Sequence, residues 1–330
     1  MLNQVNRIAT IGLRSVVAVL GMAFVVPVFA QAFPVKPIRI FVTIGPGAAA
    51  DVLTRVVAEE LGKRLGQPII VENRAGAGGN IAAEAVAKSP ADGYALLMAS
   101  SSTHGANASI YPSMPFDPIK DFAPITMVAT NPNVLVVTPA LGVTNLRELI
   151  ELAKRKPGEL TYASGGTGTS MHISGETLNM LAGTKIQHVP YKSTPLAVTA
   201  ILAGEVSMTF ASAPTVLPQV RAGKLKAIGL TSEKPLASLP DMPTLASQGL
   251  QGYDVSAWFG LAAPAGTPEA TIGRLNAETL QVMAMPTVRE KLVGQGMEPL
   301  TSTPAEFASF IRSEIERLGK VVKASGATIN

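Results

Sequence analysis

From residue 38 onward, short apolar runs rich in β-branched residues alternate with longer stretches in which apolar residues recur every three or four positions. Residues 38–43 and 69–71 are typical of buried strands. Between them, one helical face of the stretch 51–65 collects five aliphatic side chains, Val52, Leu53, Val56, Val57 and Leu61. This alternation predicts parallel or mixed β-sheets that are covered by helices on both faces.

The same alternation of strand-like and helix-like segments continues along the chain. It predicts strands over 38–43, 69–71, 94–99, 125–129, 134–138, 160–163, 186–190, 206–210, 225–230 and 258–263. It predicts helices over 51–65, 81–88, 145–156, 171–182, 195–203, 215–222, 268–283, 288–295 and 304–324. The last three helices follow the final strand, so we expect them to return and cover the first half of the chain.

Two helices carry clear terminal signals. Asp51 stands at the N-cap or first turn of the helix over 51–65, and Gly66 suits the position after its last turn. For the helix over 145–156, we expect Thr144 to be the cap.

Two successive series of strands and helices predict two doubly wound α/β lobes. We place lobe 1 at residues 33–132 and 255–330, and lobe 2 at residues 133–254. The chain then crosses between the lobes near 132–138 and again near 231–257. Two crossing segments are what a hinge between closing lobes requires.

The first 32 residues have the pattern of a secretory signal peptide. Arg7 and Arg14 precede an apolar stretch of about 15 residues, which is short for a membrane span. A small-x-small pattern ends at Ala30, so cleavage is expected there or after Ala32, with an uncleaved anchor as the alternative. The chain has no cysteine for lipid attachment, which predicts a protein that is free in the periplasm.

Composition narrows the function classes further. Without Arg7 and Arg14, the 27 basic residues fall to 25 against 23 acidic ones, so no basic footprint for nucleic acid is present. The sequence contains no G-x-S-x-G, P-loop or S-x-x-K motif, and its three histidines lack metal-binding spacing. The glycine-rich segment 76–79 is interpreted as a turn rather than a nucleotide-binding loop. We therefore predict no metal, no cofactor and no catalytic residue.

Four loops at the carboxyl ends of predicted strands are candidates for ligand binding, over 44–51, 100–104, 164–172 and 191–195, with a weaker fifth over 210–214. They combine small residues and hydroxyls with helix N-termini, whose free N–H groups attract anions. Ligands of open α/β sheets bind at this edge. The candidate ligand-binding residues are Gly45, Gly47, Ala48, Ser101, Thr103, Gly166, Thr167, Gly168, Thr169, Ser170, His172 and Ser212.

Each candidate also has a purely structural interpretation. Asp51 is more readily a helix cap than a ligand contact, and Thr169 or Ser170 would cap the helix that follows them. His104 is interpreted as a histidine of a polar loop with its hydrogen bonds satisfied. Lys192 is a candidate cation near the cleft, although a solvated lysine is the simpler interpretation.

Seven segments together resemble the Bug family, the extracytoplasmic receptors of tripartite tricarboxylate transporters. They are PVKPIR at 34–39, VENRAGAGGN at 71–80, DGY at 92–94, DFAP at 121–124, HVPYK at 188–192, WFGL at 258–261 and APAGTP at 263–268. The resemblance implies a type II periplasmic-binding-protein-like fold, a small carboxylate as ligand, a membrane permease as partner and a monomeric receptor. Receptors of this family hold carboxylates largely through backbone N–H groups, small hydroxyls and waters.

The sequence departs from the family pattern at two loops. Ala48, Ala49 and Ala50 replace part of a pattern that usually has glycines and a threonine before the Asp. Ala211 stands where many relatives carry an Asp, which makes an amino-acid ligand less favoured. Two other functions stay open at this point: a sensor that reports ligand to a membrane receptor, and a secreted hydrolase built on a Ser/Thr–His pair.

Overall fold

The computed structural model describes residues 33–325. The predicted signal peptide over residues 1–32 lies outside the described residues. The description below concerns the compact unit that begins at Lys36.

Ten strands form the sheet of the described chain. They are β1 (Ile38–Val42), β2 (Ile69–Asn73), β3 (Ala95–Ser100), β4 (Phe122–Val137), β5 (Thr161–Ser164), β6 (Gln187–Pro190), β7 (Met208–Ser212), β8 (Lys226–Leu230), β9 (Ser256–Pro264) and β10 (Glu298–Pro299). The helices are α1 (Ala49–Leu65), α2 (Asn80–Ala87), α3 (Asn107–Ile110), α4 (Leu146–Arg155), α5 (Ser170–Ala182), α6 (Thr194–Leu202), α7 (Ala213–Arg221), α8 (Glu269–Ala284), α9 (Pro286–Gly294) and α10 (Pro304–Ser325).

The sheet order is β2-β1-β3-β9-β4-β7-β5-β6, with β8 and β10 paired to β4. In the first half, β1 is parallel to β2 and β3, and in the second half β5 is parallel to β6 and β7. The predicted mixed α/β class is confirmed. Solute-binding proteins with two lobes have this fold, whereas the exact lobe boundaries stay a prediction.

Strand β4 joins the two halves. We predicted two strands here, over 125–129 and 134–138, but the structure has one strand of 16 residues. Its first part pairs with β9 as far as Pro132, and from Asn133 onward it pairs with β7. Proline lacks the N–H that a continuous ladder needs, so it is tolerated at this change of partner. The sequence pattern predicted a break in the strand at the point where the strand continues and only its pairing partner changes, from β9 to β7.

Two hydrophobic clusters lie on either side of this change. One includes Trp258, Phe307 and Ile311, and the other includes Tyr162, Phe210 and the end of α10. The expectation that the C-terminal helices cover only the first half was incomplete. Helix α10 places its first half in one cluster, and its second half contributes Leu318, Val321 and Val322 to the other. One amphipathic helix of 22 residues is long enough to cover both.

The start of α1 and the cap of α4 differ from the predictions. Helix α1 begins at Ala49, two residues before the predicted start, and Gly66 follows it with a left-handed φ of 70° as expected. The cap of α4 is Asn145, whose side chain accepts from the Glu148 N–H; Thr144 instead hydrogen-bonds the Glu148 carboxylate. The amide oxygen of Asn145 reaches the first-turn N–H directly, which is the work of an N-cap.

Packing around β9 generates a stability prediction. A Cβ at Gly260 would lie 2.3 Å from the ring of Phe307, whereas a Cβ at Gly273 in α8 would meet nothing within 4 Å. Gly260→Ala should therefore lower the free energy of unfolding by about 1–3 kcal/mol through overpacking. Gly273→Ala should raise it by up to about 1 kcal/mol because alanine favours the helix. Urea denaturation of both variants checks this, and equal effects would contradict the packing described.

Candidate ligand-binding site

The pairing of β4 brings the carboxyl ends of strands from both halves together. Ser100, the last residue of β3, pairs with Phe259, which in turn pairs with Ala129 of β4. Ser212, the last residue of β7, pairs with Asn133 of β4. Asn133 follows Ala129 by four residue steps along the strand, about 13 Å at the usual rise. The ends of β3 and β7 therefore face the same short stretch of β4.

The loops that follow β3 and β5 are in contact. The Ser102 hydroxyl donates to the Gly168 carbonyl at 3.3 Å, which joins the loop after β3 to the loop after β5. Gly168 has a φ of 84°, and a Cβ there would lie 3.0 Å from Cδ1 of Ile110 in α3. Two of the four predicted loops thus meet directly, at a position where the positive φ and the close approach of Ile110 favour glycine.

The loop over 165–169 is fixed by its own polar groups. Thr169 caps α5: its hydroxyl accepts from the His172 N–H at 3.4 Å and donates to the Gly166 carbonyl at 2.7 Å. The Ser164 hydroxyl, beneath the loop, accepts from the Gly166 N–H at 3.1 Å. The structural interpretation of Thr169 as a cap is confirmed. Helix α5 leaves the N–H groups of its first turn without intrahelical acceptors, at the point where the loop ends.

Two neighbouring histidines, the buried His172 and the half-buried His188, lie beneath this loop. Nδ1 of His172 accepts the Gly168 N–H at 3.2 Å, and Nε2 of His188 lies 2.6 Å from the Ser164 hydroxyl. The two rings are 4.2 Å apart between centroids. Burial lowers the pKa of His172 to about 4; burial and the charge of His172 lower that of His188 to about 3. Both rings are therefore neutral near pH 7, as the acceptor role of His172 requires.

In the loop after β1, the polar groups hold the backbone in place. Asp51, with a side chain 3% exposed, accepts from the Gly47 N–H at 2.8 Å and pairs with Arg55 at 2.9 Å. The Asn73 amide, at the end of β2, donates to the Asp51 carboxylate and to the Ile44 carbonyl, each at 2.9 Å. Burial opposes ionisation of Asp51, yet the bonds from Arg55, Gly47 and Asn73 hold its pKa below the usual value. Asp51 is thus engaged within the protein.

The predicted residues of this first loop remain accessible. Gly47 is exposed, with a φ of 80°, and Gly45 and Ala48 are half-buried. Ala48 occupies the N-cap position of α1 and offers no side-chain hydrogen bond. In the first turn of α1, by contrast, Ala50 and Asp51 are buried, and the charge of Asp51 is balanced by Arg55.

In the loop after β3, Ser101, Thr103 and His104 are buried and Ser102 is half-buried. Thr103 is fully buried, and its hydroxyl lies 3.0 Å from Nδ1 of His104 and 3.2 Å from the Ser100 N–H, which donates to it. The Ser101 N–H donates to the Trp258 carbonyl at 3.2 Å. His104 packs against Phe116 and Phe122, and its Nε2 has no hydrogen-bond partner among residues 33–325, so our interpretation of it as satisfied was wrong. Burial lowers its pKa to about 3.

A set of amide and hydroxyl groups connects β4 to the two helices of the second half. The Asn133 amide donates to the Ser170 hydroxyl at 3.2 Å, and Asn133 pairs with Ser212 across the sheet. The Ser212 hydroxyl lies 2.9 Å from that of Thr215 in α7. Ser170 and Ser212 are thus brought together around Asn133. Thr167 is half-buried at the loop tip.

Sequence reasoning did not single out Asn133, although a polar residue within an apolar strand is a usable signal. Ser102 lies in the predicted loop over 100–104 but was not among the candidate ligand-binding residues. The segment 76–79 was correctly interpreted as a turn, because the Gly79 N–H donates to the Gly76 carbonyl at 2.8 Å. A Cβ at Gly79 would lie 2.7 Å from Thr43 and 2.8 Å from Thr103, so this turn packs against the loops after β1 and β3.

Two cavities of about 540 and 570 Å³ lie away from the predicted loops. The first lies on the other side of the crossing strands, where Thr130, Pro132, Ser256 and Trp258 line it. Paired residues of antiparallel strands share a face, and neighbours along a strand alternate. This cavity and the Asn133 face are therefore on opposite sides of β4 and β9.

The structure bears on the hydrolase alternative. Ser164 and His188 have the spacing of a nucleophile and its base, at 2.6 Å. Ser164 is nevertheless fully buried, and its hydroxyl is engaged with Gly166 beneath the loop. A substrate carbonyl cannot approach it in this arrangement.

The sequence matches the family described as the tripartite tricarboxylate transporter family receptor over residues 53–327. The chain belongs to this family of receptors. It is 37% identical to protein BugT of Bordetella pertussis over 99% of this chain and 100% of that protein. The resemblance to the Bug family is thereby confirmed.

Solved structures of similar proteins support this family assignment. A Rhodopseudomonas palustris protein with adipate shares 34% identity at a TM-score of 0.82, covering 90% of this chain and 100% of that one. MatC from the same organism, with bound malate, shares 32% identity at a TM-score of 0.77, covering 88% and 100%. Within residues 33–325 of this receptor, no helix is both long and apolar enough to cross a membrane.

The neutral histidines generate a pH prediction. The pKa of His172 is about 4 in the folded protein and near 6.5 in an unfolded chain, which binds the proton first as pH falls. The neutral His172 side chain therefore contributes fully to the free energy of unfolding above pH 6.5, and this contribution is lost as the pH falls from 6.5 to 4. His172→Gln keeps an acceptor for Gly168 without titrating, so its unfolding free energy should fall less steeply between pH 7 and 5. Equal slopes in urea titrations would contradict the role assigned to His172.

Proposed function

We propose that this protein is a periplasmic receptor that captures a small carboxylate between its two halves and delivers it to a membrane permease. The observation that carries the proposal is the meeting of loops from both halves at the centre of β4, together with membership of the receptor family. Adipate and malate in the similar structures support a carboxylate as ligand. The export signal, the periplasmic location, the permease and a monomeric state belong to this proposal.

Capture rests on backbone groups rather than on a fixed positive charge. The first turns of α1 and α5 offer N–H groups without intrahelical acceptors, and each helix end favours a nearby anion by about 0.3–1 kcal/mol. Ordinary hydrogen bonds add about 1 kcal/mol each. Dipoles and hydroxyls avoid the desolvation cost of a buried Arg or Lys. The proposed contacts are Gly45, Gly47, Ala48, Ser101, Gly166, Thr167, Gly168, Thr169, Ser170 and Ser212, with Thr103 and His172 supporting the loops from below.

No chemical step is proposed, because capture and release need none. Ser164, which is buried and hydrogen-bonded to His188, holds the loop over 165–169 and is closed to substrate. Ala211, buried in β7, offers no carboxylate to an amino group, which favours simple carboxylates over amino acids.

The test uses two substitutions at the start of α5. Thr169→Ala removes the cap acceptor and its bond to Gly166, and Ser170→Ala removes the hydroxyl that Asn133 contacts. Each should weaken binding of adipate or malate about fivefold or more, which corresponds to about 1 kcal/mol. Titration calorimetry on folded variants measures this.

Asn145→Ala is the matched control, because it removes an N-cap of a helix whose start is not among the proposed contacts. It should cost about 1 kcal/mol of stability and leave affinity unchanged. Unchanged affinity in both the Thr169 and Ser170 variants would refute this site.

A further inference from the structure

Asn131 lies at the centre of β4, between the positions that face the ends of β3 and β7. It pairs with Ala257 of β9, one step before the strand changes partner. Its side chain is buried, with the residue only 6% exposed. Its Oδ1 is a buried atom for which the described chain provides no hydrogen-bond partner.

The register of β4 determines which way this side chain faces. Thr130 and Pro132, its neighbours in sequence, line the 540 Å³ cavity on one side of the strand. Asn131 therefore faces the other side, which it shares with Asn133 two residues further on. Asn133 contacts Ser170 at the start of α5, so the face of Asn131 is the face of the proposed carboxylate site.

A buried amide oxygen without a partner is unfavourable, and replacing it by an apolar group removes the penalty. Four such side-chain atoms occur in the described residues, on His104, Asn131, Ser174 and Thr177. His104 lies among phenylalanines, and Ser174 and Thr177 lie within α5. Asn131 is the member of this group placed on the strand where the two halves meet. A ligand that donates a hydrogen bond would supply the missing partner.

We propose that Asn131 is a specificity-determining residue that accepts a hydrogen bond from a hydroxyl group on the carbon chain of the bound carboxylate. This inference rests on the proposed function, in which the loops hold the carboxylate. A methylene at the same place leaves Oδ1 unpaired, and sites with a buried polar group reject ligands that lack its partner. The protein therefore selects hydroxycarboxylates over their unsubstituted counterparts.

The experiment compares two ligand pairs by titration calorimetry: malate against succinate, and 3-hydroxyadipate against adipate. In the wild-type protein, the hydroxylated member of at least one pair should bind about fivefold to a hundredfold more tightly. In Asn131→Leu, of similar volume, and in Asn131→Ala, the ratio should fall to about one. The control is Ser256→Ala, which lies on the opposite face and should keep the wild-type ratio.

Stability without ligand gives a second readout. If Oδ1 lacks a partner in the free protein, Asn131→Leu should melt at the same temperature as the wild type or higher. A clear loss of melting temperature would show that the amide already has a partner and would overturn the inference.

The outcomes separate the two proposals. Binding of succinate or adipate without preference for the hydroxylated partner overturns the role of Asn131 and leaves the receptor function standing. The same holds if the preference survives in both Asn131 variants. Absence of binding for all four carboxylates overturns both.

Discussion

The structure depends on one strand that changes its partner. Strand β4 runs antiparallel to β9 in its first part and antiparallel to β7 and β8 in its second. Because β9 is itself antiparallel to β3, the carboxyl ends of β3 and β7 point toward the same stretch of β4 from opposite directions. Parallel sheets place their ligand loops at carboxyl ends. This pairing alone therefore brings the loops of both halves together.

Side chains around these loops serve mainly to hold the backbone. Asp51, Asn73 and Arg55 fix the loop after β1, and Ser164 and His172 fix the loop after β5. In the site that we propose, these polar groups are engaged internally, and the ligand is bound by first-turn N–H groups and a few hydroxyls. Preorganised dipoles of this kind bind an anion without a buried countercharge. The neutral state of the buried His172 serves the same purpose, because a charged imidazolium ring cannot accept the Gly168 N–H.

Local patterns were sufficient for most of the fold. Helix α1 and its terminal Gly66 followed from apolar spacing and from the residue that ends the helix. Strand β4 did not, because Asn131 and Pro132 look like a loop when read alone; the long-range pairing that keeps them in a strand is invisible to local periodicity. The loops at strand ends were predictable from their glycines and hydroxyls. The sequence did not predict the burial of the Thr103 side chain or the positions of Asn131 and Asn133, because these depend on which strands become neighbours.

A crystal structure with bound adipate or malate would test the central claim most directly. The account predicts electron density for the ligand against the first turns of α1 and α5, on the side of β4 that carries Asn133. Density in the cavity beside Trp258, on the opposite side of the same strands, would contradict it.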